Sequence, residues 1–438
     1  MIRTLWLCVC LAVGLGLVSS PALVRAQEPT FLTYRVQEGD TLLQIARDYM
    51  RQTSDWPQIQ RLNQIKDPRR IPVDTPLRMP RRLLRWDPVI LEVAYFSGAV
   101  EIAGQQAKQG DRLSEGQGIV TRAGAYVTFA GRVVGGYGGR VSLPSNTKAR
   151  LIQARRYALG DTLFVNFGLD DGRASVFSPS LEGEDELLLT TPRAVTAVRG
   201  TEFRAVFDPG ADRAVTEVTE GVVALVSEDQ EIAAAQGFGV ATQEGGFAEP
   251  EALLPTPNLV DAGVIQMDET LSFQLETDAK AAAYRFQLSR DADFLDIIAG
   301  QVVAEGNAVF DGLPNGRYYV RARAISPNGI EGFADNVTGF RRKRLGVSAE
   351  AGPAAGVDGY LFKWLSVGDA NARFAFQLWQ GEDRSAMIVN ETGLTTPAVT
   401  LTGLAPGAYR WRVAVVVPDA EEGLLKVWGP AKKLTIAE

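Results

Sequence analysis

From Val89 to about Thr242 the chain is cut into short runs in which apolar and polar residues alternate, such as Ala99-Val100-Glu101-Ile102, Tyr126-Val127-Thr128-Phe129 and Thr162-Leu163-Phe164-Val165. Leu187-Leu188-Leu189 is a further run; glycine, asparagine or aspartate turns separate them all, and no helical period intervenes. Successive side chains of a strand point to opposite faces, so a period of two buries one face of a sheet. The region is therefore expected to be all-β. Glu249 to Pro257, with three prolines, reads as a stiff connector to the C-terminal part of the chain. Beyond it the sequence repeats itself. Tyr284-Arg-Phe286-Gln287-Leu288 and Gly312-Leu313-Pro314-Asn-Gly316-Arg-Tyr318-Tyr-Val320-Arg-Ala322 recur as Phe374-Ala-Phe376-Gln377-Leu378 and Gly403-Leu404-Ala-Pro406-Gly407-Ala-Tyr409-Arg-Trp411-Arg-Val413. The offset is about ninety residues, the size of a small β-sandwich.

At 438 residues the chain exceeds one typical core, and three or four domains are expected. Arg3, an apolar run from Leu5 to Val18 and a close of Val24-Arg25-Ala26 fit a secretory signal over residues 1–26. Both cysteines, Cys8 and Cys10, lie inside that run, so the processed chain is expected to have no disulfide and to rely on packed cores. The sequence has no histidine. That removes serine–histidine triads, and with the cysteines gone it removes cysteine nucleophiles and nearly every zinc site; neither cofactor nor metal is expected. A net charge of −7 lacks the dominant basic surface that nucleic acid requires.

Thr33 to Pro80 has a different texture. Thr33-Tyr34-Arg35-Val36 alternates as a short strand, and Glu38-Gly39-Asp40 supplies a turn. Thr41 with Gln44 forms a capping box, and Leu42, Ile45, Ala46 and Tyr49 share one helical face. A second helix is expected from Asp55, with Pro57 in its first turn and Trp56, Ile59 and Leu62 inward, followed by a strand at Leu77-Arg78-Met79. Tyr-x-Val-x-x-Gly-Asp-Thr-Leu-x-x-Ile-Ala at Tyr34 to Ala46, with Leu62-Asn63, resembles the LysM module. The resemblance implies binding to N-acetylglucosamine-containing glycans, which in a bacterium means peptidoglycan. It places the groove between Gly39–Leu42 and the loop from Asn63 to Ile71. The site residues it implies are Gly39, Asp40, Thr41, Leu42, Asn63, Ile65 and Ile71: backbone groups would grip the N-acetyl group and the apolar side chains cover its methyl. Where the family commonly has Gly-x-x-Leu before the last strand, this chain has Val73-Asp74-Thr75-Pro76-Leu77.

Thr191-Pro192, a strand into Arg199-Gly200-Thr201-Glu202-Phe203, and then Val218-Thr219-Glu220-Gly221-Val222 together resemble the FecR domain. FecR itself relays receptor occupancy to a cytoplasmic sigma factor; this chain has no cytoplasmic domain ahead of its apolar segment, so only the extracytoplasmic module is implied. Gly200 is read as permitting a bulge or a positive φ, and Arg199 as a structural stacking or pairing group. The Gly-Leu-x-(Pro)-Gly-x-Tyr turns of the repeat resemble fibronectin type III-like domains, with Tyr318 and Tyr409 as buried corner tyrosines.

Several polar clusters have plain readings. Arg81, Arg82 and Arg85 sit in a short solvated linker, and Glu182, Glu184, Asp185 and Glu186 form an exposed loop. The glycines from Gly131 to Gly139 lack the ending of a phosphate loop and are hairpin turns. Asp291, Asp293 and Asp296 lack the spacing of a calcium loop. Trp364, Trp379, Trp411 and Trp428 are packing residues, and Arg341 to Arg344 the charged end of a strand plus linker. The expected fold is thus multidomain and mainly β: a βααβ LysM module at 33–80, an all-β FecR-like domain at 89–245, and two sandwiches at 258–345 and 352–438. The expected function is that of an exported, non-enzymatic envelope protein, periplasmic or extracellular and wall-associated, that binds peptidoglycan and presents its other modules as scaffold or interaction surface. The alternatives are a FecR-type sensor and a carboxylate-dependent glycan hydrolase.

Overall fold

The computed structural model describes residues 31–132, 138–198, 200–227, 230–368, 371–385 and 387–437. The expected leader with Cys8 and Cys10, Arg199, and the middle of the 131–139 glycine cluster lie outside them. The fold is multidomain and mainly β; among the described residues no helical segment follows Leu83, and no helix is long and apolar enough to cross a membrane.

The N-terminal module runs β1 (Phe31–Arg35), α1 (Leu42–Tyr49), α2 (Trp56–Leu62) and β2 (Pro76–Pro80). The two strands pair antiparallel, with Tyr34 opposite Leu77. The Thr41 hydroxyl accepts from the Gln44 amide at 3.2 Å and so starts α1, while Leu42, Ile45 and Ala46 turn inward. A short 3₁₀ turn, Thr53–Asp55, precedes α2, so the helix begins one residue later than the sequence suggests, with Pro57 in its first turn.

Strands between Trp86 and Ala252 are hydrogen-bonded in succession and close on themselves around Val93, Phe129, Leu151, Val165, Phe203 and Leu225. Thr162–Phe177 is long and, in its first half, buried on both faces. Leu163, Val165 and Phe167 enter the barrel core, whereas Phe164 joins the core of the N-terminal module. Gly200 has φ +77°, and a Cβ there would lie 2.7 Å from the Ser180 Cα, so both conformation and close approach demand glycine.

The segment expected to be a solvated linker is packed. Arg81 is only 7 % exposed; its guanidinium lies 4.5 Å from the Phe164 ring centre and pairs with Glu186 at 3.1 Å. Leu83 and Leu84 are buried beside it, and Tyr157, Leu159, Leu188 and Val195 of the barrel complete the same apolar cluster. The acidic run is likewise engaged. The Glu184 carboxylate accepts from the Thr33 amide at 3.0 Å, and Asp185 accepts from the Leu163 amide at 2.7 Å. Burying charge against apolar surface is costly, and the Glu186 pair and the Phe164 ring offset that cost for Arg81, as the backbone amides do for Glu184 and Asp185.

After the barrel come two sandwiches, each a three-stranded sheet facing a larger one. Tyr318 donates to the Pro314 carbonyl and Tyr409 to the Ala405 carbonyl, the same corner in both copies. The connector Glu249–Pro257 does not stand free: the Leu253 amide donates to the Gly237 carbonyl and its side chain packs with Val215, Ala241 and Ile330. Arg341, at the charged end of its strand, pairs with Asp419 at 2.9 Å and joins the two sandwiches; Arg342 is buried and donates to the Gln266 and Glu269 carbonyls.

At the junction of barrel and first sandwich, Glu331 is 2 % exposed and pairs with Arg173 at 2.7 Å and Arg285 at 2.6 Å. Its amide donates to Glu217, which in turn accepts from the Arg204 Nε at 2.6 Å; Arg204 also donates to the Glu331 carbonyl. Burial raises the Glu331 pKa, but Arg173, Arg285, Arg323 and Arg204 outweigh it and hold the carboxyl far below the usual range. A depressed pKa contributes stability above the unfolded value of 4.5 that is lost as pH falls below it. Glu331→Gln leaves Arg173 and Arg285 without their carboxylate, and we expect a loss of about 3–5 kcal/mol in chemical denaturation at neutral pH, with a flatter decline on acidification. Arg81→Ala is expected to cost about 2–3 kcal/mol by removing a desolvated cation–π contact and the Glu186 partner.

Candidate glycan-binding site

The first loop is built around Asp40. Its carboxylate accepts from the Gln37 amide and the Tyr34 hydroxyl, both at 2.7 Å, which closes the turn that Gly39 enters with φ +86°. Burial, then the Asp40 hydrogen bond, pushes the Tyr34 phenol above its ordinary value and keeps it a donor. Thr41 is occupied as the cap of α1. The Leu42 amide then donates to the Pro68 carbonyl at 2.9 Å, and this bond brings the two expected loops together.

The second loop is held from both ends. Asn63 donates to the Ile59 and Arg78 carbonyls and accepts from the Arg78 amide at 2.7 Å, so its amide group ties α2 to β2. Gln60 donates to the Ile65 carbonyl, and Asp67 accepts from the Arg69 amide. Asp74 takes φ +64°, the left-handed conformation that a glycine supplies in the commoner family turn. The Asp74 amide donates to the Val36 carbonyl, closing the loop against the end of β1.

The seven expected residues therefore divide. Gly39 is exposed and presents backbone, whereas Leu42 and Ile71 are buried in the module's core. Asp40, Thr41 and Asn63 spend their side chains on the fold, and Ile65 is half-buried against the core. Two apolar side chains outside the expected set are open to solvent: Leu43 at 47 % and Val73 at 56 %. Leu43 was visible in the sequence as an apolar residue next to Gln44 on the polar face of α1.

The first module and the barrel match known families. Residues 34–80 match the LysM domain model, and residues 127–224 the FecR protein model. No curated protein matches the chain. Among solved structures, a candidate anti-sigma factor from Parabacteroides distasonis ATCC 8503 is similar at 15 % identity over 31 % of this chain and 59 % of that one, with a TM-score of 0.25. The chicken CNTN1 FN1–FN3 domains are similar at 11 % identity over 66 % and 98 %, TM-score 0.24. The fibronectin(III)-like modules of Clostridium thermocellum CbhA are similar at 14 % identity over 41 % and 94 %, TM-score 0.20. The chain thus spans about three-fifths of the anti-sigma-factor structure, and likenesses this distant carry no functional weight.

Thr41→Ala should cost about 1 kcal/mol through loss of the helix cap. Asn63→Ala should cost more, about 2 kcal/mol, because the Arg78 amide and two carbonyls lose their partner. Both are read by thermal melting of the full chain.

Proposed function

We propose that this is an exported, non-enzymatic protein of the cell envelope that binds peptidoglycan through residues 34–80 and carries its β modules as a joined platform. The observation that carries the reading is the LysM match falling on a complete strand–helix–helix–strand unit whose two loops are linked at Leu42 and Pro68. We divide the chain at 33–80, 89–245, 258–345 and 352–438. The groove is shallow and its chemistry suits an uncharged sugar: backbone groups at Gly39 to Leu42 hold the N-acetyl group, and Ile65, with Leu43 and Val73, covers apolar faces. One such module binds weakly, and a repetitive polymer compensates by offering many sites for rebinding. The FecR match supports a second reading, in which the wall only positions a sensor. It differs in requiring a protein partner whose occupancy alters the barrel.

Deleting residues 33–80 is a poor test, because it would bare Tyr157, Phe164 and Leu188 of the barrel. A point change serves better. The full chain should co-sediment with purified peptidoglycan, N-acetylglucosamine oligomers should release it, and Leu43→Glu, at an exposed position, should weaken pelleting at least tenfold while circular dichroism stays unchanged. Pelleting indifferent to both the oligomers and the substitution would place the glycan elsewhere on the molecule.

A further inference from the structure

The two sandwiches carry the same outward-facing pair. In the first, Gln287 stands opposite Arg321, and the Arg321 Nε donates to the Gln287 side-chain oxygen at 3.1 Å. In the second, Gln377 stands opposite Arg412, and the Arg412 Nε donates to the Gln377 oxygen at 2.8 Å. Each guanidinium also lies over a ring, Arg321 at 3.9 Å from Phe294 and Arg412 at 4.0 Å from Trp428. Gln287 with Arg321 and Gln377 with Arg412 are equivalent positions of the ninety-residue repeat, whereas the two rings come from different places in it, Phe294 from the segment after the glutamine strand and Trp428 from the strand after the arginine strand.

The two copies differ in what covers that face. Over the first lies the barrel: Tyr126 packs with Phe294 and Ile297, Thr128 donates to the Leu295 carbonyl, and a Cβ on Gly300 would strike the Tyr126 hydroxyl. Barrel strands bring Arg204 together with Glu202 and Glu217 toward Arg321 and Arg323, and Glu217 is paired there with Arg204 at 2.6 Å. On the second copy the pair remains at the surface. Arg412 is half-buried and Arg384 exposed, close enough that burial and then the Arg384 charge depress the Arg412 pKa. Lys426 is a second cation over Trp428, at 4.6 Å, and Arg384 lies over Trp379 at 5.7 Å.

We propose that the outer face of the C-terminal sheet, centred on Gln377, Arg412 and Trp428, docks a protein partner that presents carboxylates from its own surface, on a face whose equivalent in the first sandwich is covered by the barrel. Arg412 and Arg384 supply the charge, Gln377 with Asn390 a pair of amides bonded at 3.0 Å, and Trp428 an aromatic platform already flanked by cations. A neutral sugar finds the Trp428 ring occupied by Arg412 and Lys426, which favours a protein over a glycan. The surface is independent of the LysM groove and stands whether or not that groove binds peptidoglycan.

The test uses the full chain and a fluorescein-labelled decaglutamate peptide as the carboxylate probe, with decalysine as the sign control, followed by anisotropy at low salt. Decaglutamate should bind and decalysine should not. Arg384→Ala with Arg412→Ala should weaken binding at least tenfold, Arg384→Ala alone about threefold without disturbing the fold, and Arg47→Ala on α1 should change nothing. Absence of decaglutamate binding, or equal binding by the double variant, overturns the proposal. So does loss of peptidoglycan pelleting in the double variant with decaglutamate binding intact, which would make the face a glycan surface.

Discussion

Much of the molecule hangs on the carboxylate of Glu331. Arg173 comes to it from the barrel and Arg285 and Arg323 from the first sandwich, while the barrel's Arg204 binds the main-chain carbonyl of Glu331 and the carboxylate of Glu217. None of these charges could stay buried alone, because the desolvation of an unpaired guanidinium exceeds what local packing returns. The cluster is stable only when barrel and sandwich are in contact, so it specifies their docking as much as it stabilises it. Apolar contacts among Val215, Ala241, Leu253 and Ile330 add to the adhesion around it.

The same logic recurs at the other joints. Arg81 and Glu186, with Glu184 on the Thr33 amide, fix the LysM module to the barrel, and Arg341 with Asp419 fixes the second sandwich to the first. At each joint an arginine from one unit reaches carboxylates of the next. A chain with no described disulfide is thereby held as a continuous body, in which whatever grips the LysM groove also orients the barrel and sandwiches.

The architecture was legible from patterning because patterning is local. Period-two alternation gave the strands, Thr41 and Pro57 marked the helix starts, and the recurrence of Gly316–Tyr318 as Gly407–Tyr409 gave the paired sandwiches. The joints were not legible. Arg81 and the acidic run at 182–186 look like solvated charge in a one-dimensional reading, and nothing near residue 81 in the sequence announces that Phe164 will lie beneath it. Glu331 lies in an ordinary loop and gains its role from strands more than a hundred residues away. The groove falls between these cases: its loops were placed by their turn residues, but only the structure separates Gly39, which presents backbone to solvent, from Asp40 and Asn63, whose side chains are spent on the fold.

The claim that the modules form one body is tested most directly by a distance across the joints. Lys66→Cys on the LysM loop and Lys363→Cys on the second sandwich give two exposed labelling sites with no competing cysteine among the described residues. Double electron–electron resonance between spin labels at these positions should return a single narrow distance distribution that broadens in Glu331→Gln. A broad distribution in the unaltered chain would contradict the account, since it would mean that the charged joints do not hold the modules in place.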